Sequence, residues 1–315
     1  MTNTVLQAES LSKSYHGLQA VKNLTMAVLE GEVFGFLGPN GAGKTTTINM
    51  LCGLLRPDSG RVLLHGTPLS GGDERLKALV GVCPQNIVLW ERLTCLEQLV
   101  FIGQMYGLSA GLARQNGLRL LAELDLEEKR DKLARTLSGG MQRRLNVAMA
   151  LVHDPQIVVL DEPEAGLDPQ SRVKVREYIQ SLARRKTVIL TTHNMDEADR
   201  LADRVAIIDH GELLVLDTPE LLKQRVGEGD VLEIHLNSGL NGEDTAQKAL
   251  HSLASEVSLD PISQVLRVRA LNAVGRLADI LEALSAAGFK PGQVNLHANT
   301  LEDVFIQLTG RRLRE

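Results

Sequence analysis

Eight consecutive residues, Gly38-Pro39-Asn40-Gly41-Ala42-Gly43-Lys44-Thr45, constrain this chain more than any others. They follow the apolar run Val33-Phe34-Gly35-Phe36-Leu37 and precede a helix-like run from Thr46 to Leu54. This is the strand–loop–helix setting in which the pattern G-x-x-x-x-G-K-[ST] forms a phosphate cradle. Small residues let successive backbone N–H groups turn inward into an anion nest. The helix that opens near Gly43 adds the positive end of its dipole. Lys44 brings a point charge to the β- and γ-phosphates, and the Thr45 hydroxyl can ligate Mg2+. The bland alternative is a Gly-rich turn before a helix; the flanking strand and helix weigh against it.

The chain has 315 residues, enough for two domains. Hydrophobic residues at 43% permit ordinary globular cores. The formal net charge of −5 argues against general affinity for nucleic acid, and 3% aromatics argues against stacking platforms for single strands. Cys52, Cys83 and Cys95 lack metal-ligand spacing and read as buried apolar side chains in a reducing compartment. No apolar run approaches the roughly 20 residues that span a bilayer. Met1-Thr2-Asn3-Thr4 has none of the features of a signal peptide. The expectation is a soluble, intracellular chain whose membrane role, if any, comes through a partner.

Residues 4–10 and 24–29 read as short strands flanking the polar turn Ser12 to Gly17, where Tyr15 reads locally as a half-buried aromatic at a strand end. Turns fall at Arg56–Gly60 and Gly66–Pro68, with strands at 61–65 and 80–83, the second ending in Pro84-Gln85-Asn86. Residues 94–151 carry apolar positions at helical spacing and predict a mostly helical insertion. Its last helix follows Leu137-Ser138-Gly139-Gly140-Met141-Gln142 and is capped by Ser138 or Gly139. Ile157-Val158-Val159-Leu160 reads as a strand buried on both faces, ending in Asp161-Glu162. A helix over 169–184, a second buried strand running to Thr192-His193, a helix around 195–201 and a hairpin across His210-Gly211 complete the domain. A boundary near residues 226–229 leads into a strand–helix–strand–strand–helix–strand order plus one helix, which is ferredoxin-like. The tail, residues 311–315, reads as a solvated helix end.

The carboxylates narrow the chemistry. Asp161 is placed to hold Mg2+, directly or through water. Glu162 beside it can polarise an attacking water, which favours hydrolysis over transfer to a bound acceptor. No guanine-reading Asn-Lys-x-Asp motif is present.

At this point the order Tyr15, Gly38–Thr45, Gln85, Leu137–Gln142, Leu160-Asp161-Glu162-Pro163, Gly166-Leu167-Asp168, His193 resembles the nucleotide-binding subunit of ATP-binding cassette transporters over about residues 1–225. The resemblance implies an α/β fold, a P-loop nucleotide-binding domain over residues 1–226, within which the helical pattern of about 94–151 is a subdomain; the pattern beyond it gives a small α+β domain over 227–315. It implies ATP and Mg2+ as ligands. Gly38, Pro39, Asn40, Gly41, Ala42, Gly43, Lys44, Thr45 and Thr46 would cradle the phosphates. Tyr15 would stack on adenine, reversing its local reading. Gln85, with Thr45 and Asp161, would reach the metal. Glu162 would be the general base and His193 would contact the γ-phosphate. Ser138, Gly139 and Gly140 would cap ATP held by a second copy, and Asp168 would lie at that dimer interface. The signature also offers free N–H groups at a helix start, a second anion site that one chain cannot easily bring to the same nucleotide.

One departure stands out: the family usually has Thr or Ser after Pro163, and here Glu164-Ala165 follows. The third acid implies either a raised carboxylate pKa from like charges or a salt bridge to an arginine elsewhere. The segment Leu301 to Gly310 resembles the closing helix of the daunorubicin-resistance, nodulation-export and sodium-extrusion subfamily, whose members pair with separate membrane permeases and mostly export. The implied setting is the inner face of the cell membrane, reached through the permease. Two alternatives stay open: a soluble cassette ATPase, and a low-turnover regulatory subunit.

Overall fold

The computed structural model describes residues 3–69, 74–225, 229–236, 242–260 and 263–310. The chain divides after Pro219 into two compact units.

The first unit is built on a six-stranded sheet. Its order runs Glu212–Asp217, Arg204–Asp209, Val33–Leu37, Thr187–Thr192, Ile157–Asp161, Val80–Cys83. All neighbours are parallel except the first pair, the hairpin across His210-Gly211. Parallel strands need both faces covered, and the sequence supplies two-sided apolar runs. Along the strand Ile157–Asp161, Val158 and Leu160 enter one core with Leu96, Leu99, Leu121 and Leu145. Ile157 and Val159, one residue out of phase, enter the other with Phe34, Phe36, Ile48 and Met50. The two-residue period of a strand thus splits one run between two cores.

Over the second core lies a smaller antiparallel sheet, ordered Leu18–Leu29, Thr4–Tyr15, Ser59–Leu64, Thr67–Pro68. The sequence suggested short strands separated by a polar turn. Instead the first two strands run 12 residues each and meet at a tight reversal, His16-Gly17. Both residues adopt positive φ, 48° and 85°, as a two-residue hairpin requires. Ser12 to Tyr15 therefore belong to a strand, and Tyr15 pairs with Leu18 at its end.

The helical region comprises Cys95–Met105, Ala110–Glu123, two short 3-10 turns and Gly139–Leu151. Thr94 caps the first helix in a reciprocal box with Glu97, and Ser138 caps the last by accepting from Met141 N at 3.3 Å. The helix Pro169–Leu182 starts at Asp168, whose carboxylate accepts from Ser171 N at 3.0 Å, with Pro169 at its first position. A short helix, Glu74–Leu79, carried no clear sequence signal.

The second unit opens with the helix Pro219–Arg225, tied in by a hydrogen bond from Asn299 Nδ2 to Lys223 O. Four antiparallel strands follow in the order Glu256–Asp260, Val265–Ala270, Asp230–Leu236, Pro291–His297, a ferredoxin-like arrangement. Glu243–Leu250 and Ala273–Ala286 cover the face that carries Leu232, Ile234, Leu266 and Val268. Leu301–Thr309 closes the unit, capped by a Thr300–Asp303 box. The unit begins several residues before the expected boundary, and residues 226–228 and the tail 311–315 lie outside the described residues.

Candidate functional site

One open cleft of about 550 Å3 is lined by Tyr15, Ala20, Asn40, Gly41, Ala42, Gly43, Lys44, Thr45, Thr46, Gln85, Asp161 and Glu162. It forms at the C-terminal ends of the parallel strands, where open α/β sheets bind ligands. Gly43 has φ 100°, and a Cβ there would meet Ala20 O at 2.4 Å. Only glycine lets the loop pass this close to the antiparallel sheet and then enter the helix Lys44–Leu51.

Lys44 Nζ donates to Gly38 O at 2.7 Å and to Pro39 O at 3.1 Å, folding its ammonium over the loop. Burial holds the Lys44 pKa below the usual lysine range, against the opposing pull of Glu162 and Asp161. Across the cleft, Thr45 Oγ1 lies 3.5 Å from Asp161 Oδ2, with Gln85 on the same wall. These are hard oxygen donors, the set that suits Mg2+. Thr191 Oγ1 donates to the other Asp161 oxygen and accepts from Glu162 N at 3.0 Å.

Glu162 is buried and takes a left-handed backbone, φ 51°, which is rare outside glycine. Its carboxylate lies 2.9 Å from His193 Nδ1. The imidazole is half exposed and is not itself among the cleft-lining residues, whereas Glu162 is. What holds Glu162 in place is Arg143. That guanidinium, 1% exposed, donates from Nη2 to Asp161 O and Glu162 O at 2.7 Å each. Its Nη1 reaches Pro84 O at 2.8 Å and Gln85 O at 3.0 Å, and its Nε reaches Pro163 O at 3.1 Å. One side chain on the helix Gly139–Leu151 thus fastens Pro84-Gln85 to the acidic strand end.

Ser138, Gly139, Gly140 and Asp168 do not line the cleft. They cluster with one another: a Cβ on Gly140 would meet Ser171 Oγ at 2.1 Å and approach Asp168 Oδ2 at 3.4 Å. Hydrogen bonds from Ser171 hold Asp168 below the usual carboxylate range.

Glu164 forms the salt bridge to an arginine. Arg176 meets it as a fork, Nε to Oε1 at 2.9 Å and Nη2 to Oε2 at 2.8 Å. Close by, Glu197 is pushed up to about 8 by burial and by the nearby Glu164 and Glu162, although the Thr192 hydroxyl donates to it at 2.6 Å. Sequence reasoning missed Arg143, Arg176 and Glu197. Arg143 had a signal: it stands inside a helix whose neighbours Leu145, Val147 and Ala148 are core residues, and an arginine there needs buried acceptors.

Fold and cleft together define a P-loop nucleotide hydrolase of the cassette type. A family model described as ABC transporter matches residues 21–165. The linearmycin resistance ATP-binding protein LnrL of Bacillus subtilis (strain 168) is 36% identical over 314 residues, covering 99% of this chain and 100% of its own. The Nod factor export ATP-binding protein I of Ralstonia nicotianae is 40% identical, covering 99% and 95%. The daunorubicin resistance ATP-binding protein DrrA3 of Streptomyces coeruleorubidus is 36% identical, covering 100% and 99%. Among solved structures, an ATP binding subunit of an ABC transporter superposes with TM-score 0.64 at 29% identity, covering 70% of this chain and 93% of that one. A dimeric post-hydrolysis ATP-binding cassette bound to ADP and Pi gives 0.61 at 26% identity, covering 68% and 98%. The chain belongs to the ATP-binding cassette transporter family, as an ATP-binding, ATP-hydrolysing subunit. No helix among the described residues is long and apolar enough to cross a membrane.

Proposed function

We propose that this chain is the motor of an export complex, closing around two ATP with a second copy and driving a separate membrane permease. The observation that carries the reading is the Glu162–His193 pair, 2.9 Å apart, beside a cleft that already holds Lys44, Thr45, Gln85 and Asp161. In this reading the triphosphate lies on the N–H groups of Gly41 to Thr46 and against Lys44, with the base against Tyr15. Thr45, Asp161 and Gln85 hold Mg2+, which when bound neutralises phosphate charge. Glu162 accepts the proton of the attacking water, and His193 orients that water and the terminal phosphate. Ser138, Gly139 and Gly140 stand outside the cleft, so they serve the nucleotide of the second copy, with Asp168 at the shared surface. ATP then binds the closed pair better than the open one, and hydrolysis reverses the bias.

The permease contact is supported by an apolar surface just beyond Gln85. Ile87, Val88, Trp90, Phe101, Met105 and Tyr106 are all exposed, and the Trp90 and Phe101 rings meet edge-on at 5.2 Å. Exposed aromatic and Met clusters of this kind mark protein interfaces. Export is supported by relatives whose names concern drug resistance and Nod factor export. In this reading the chain works on the inner face of the membrane, held there by the permease.

The test is Glu162→Gln. It removes the proton acceptor and keeps the cradle, so ATP affinity should stay within about twofold while turnover falls by about 100-fold or more. At saturating ATP the variant should accumulate as a dimer by light scattering, with its permease present. Normal turnover in this variant would refute Glu162 as the base; a monomer at saturating ATP would refute the closed pair.

A further inference from the structure

We propose that Glu164 is a positioning residue, and that its fork with Arg176 clips the turn carrying Glu162 to the helix that begins behind Asp168, so that both move as one piece. The inference rests on the reading of Glu162 as the base and Asp168 as the contact with a second copy.

The geometry is as follows. Glu164 is 5% exposed, so its carboxylate cannot rely on water. Arg176, on the helix Pro169–Leu182, contributes two parallel hydrogen bonds at 2.9 and 2.8 Å. Such a fork fixes distance and angle together, which a single ammonium does not. Arg172, one turn earlier, brings Nε to 3.8 Å from Glu164 and donates from Nη2 to Leu167 O at 3.4 Å. Backbone bonds close the same segment from within: Ala165 N to Glu162 O at 3.2 Å, and Leu167 N to Glu164 O at 3.3 Å. Glu162 and Gly166 both hold positive φ, 51° and 69°. A turn with two such residues needs external fixing to keep one shape. Arg143 supplies it from the side of Glu162, through backbone carbonyls. The Glu164–Arg176 fork supplies it from the side of Asp168, through an acid that is not among the cleft-lining residues.

The charges around the fork set an asymmetry. Glu164 and Glu162 both lie near Glu197, and Asp196 and Glu197 lie near Arg176. Removing Arg176 leaves a buried carboxylate near acids with only the longer Arg172 contact at 3.8 Å, whereas removing Glu164 leaves a partly exposed arginine with other acids close by. A buried charge without its partner is the costlier of the two.

The experiment compares Arg176→Ala, Arg176→Lys and the double change Glu164→Thr with Arg176→Ala in the full chain. It reads steady-state ATP hydrolysis and hydrogen–deuterium exchange over residues 162–170. Arg176→Ala should lower kcat about tenfold with KM for ATP within about twofold, because a small misplacement of the base costs rate and not nucleotide binding. Exchange should quicken in Ala165 to Asp168 and stay unchanged in the Val33–Leu37 strand. Arg176→Lys should recover part of the rate, and the double change should exceed Arg176→Ala, since no carboxylate is left stranded. Unchanged kcat and exchange in Arg176→Ala would overturn the clip. So would exchange rising throughout the first unit, which would mean a general loss of stability. If the unaltered chain hydrolyses no ATP, the proposed function fails, and the clip is then decided by the exchange pattern alone.

Discussion

At the scale of single residues, the site is held together by groups that carry no motif name. Arg143 spends all its donors on five backbone carbonyls of Pro84, Gln85, Asp161, Glu162 and Pro163. A lysine there keeps the charge but cannot span the set. Arg143→Lys should therefore cost about 2 kcal/mol or more in urea unfolding, from buried acceptors left unpaired, and should slow hydrolysis more than it weakens ATP binding. Glu197 makes a second prediction. Its folded pKa of about 8 lies above its ordinary 4.5, so the folded state holds the proton more tightly across that interval. The associated stability is complete below the lower value and is lost as pH rises through the upper one. Glu197→Gln keeps the shape without the titration. Urea midpoints at about pH 5 and about pH 9 should fall less for the variant than for the parent chain. Parallel profiles would show that Glu197 stays charged throughout.

At the scale of elements, the helix Pro169–Leu182 does more than cover the sheet. On one side Arg172 and Arg176 face Glu164. On another, Lys174 Nζ meets Asp125 Oδ2 at 2.5 Å and Tyr178 OH donates to Glu123 Oε2 at 3.0 Å. Asp125 also receives Arg144, from the signature helix, at 3.8 Å. The helix thus joins the acidic turn to the end of the Ala110–Glu123 helix. Tyr178→Phe keeps the buried ring and deletes one hydrogen bond to a charged acceptor, so it should cost about 1–2 kcal/mol in urea unfolding. A neutral result would mean that water replaces the hydroxyl on Glu123. The helix itself was legible in the sequence, because Asp168-Pro169 is a cap followed by a first-turn proline. Its side-chain partners were not, since Arg176 to Glu164 and Tyr178 to Glu123 depend on the angle at which the helix crosses the sheet. The same limit applies to the cleft. Spacing marked Lys44, Asp161 and His193 separately, and a strand order with Thr187–Thr192 between Val33–Leu37 and Ile157–Asp161 brings them together. Arg143 differs: its apolar helix neighbours signalled burial, but the carbonyls it reaches, at residues 84–85 and 161–163, are brought to it only by the fold.

At the scale of the molecule, the two units keep separate apolar cores. Among the described residues, the cores of the first unit draw on nothing beyond Leu216, and the core of the second begins at Leu232. The sequence placed the divide at a Gly-rich stretch near residue 227, because glycine and charge interrupt the pattern there. The contacts place it after Pro219, since Asn299 bonds to Lys223 O and Leu222 is fully buried. A helix that reads as the end of one domain is therefore the opening of the next, a distinction local composition cannot make. The difference predicts how truncation behaves. A chain ending at Thr218 should keep both cores of the first unit, unfold cooperatively in urea and bind ATP within about threefold of the full chain. A chain ending at residue 226 retains the Pro219–Arg225 helix without the segment that supplies Asn299, so the helix that carries the buried Leu222 loses an anchor. It should elute with more aggregate on size exclusion at equal concentration while showing the same circular dichroism for the sheet region. If the chain ending at Thr218 is unfolded, the first unit depends on the second, and the separation of the cores has been misread as independence. If the two truncations behave alike, the short helix has no preference for the second unit.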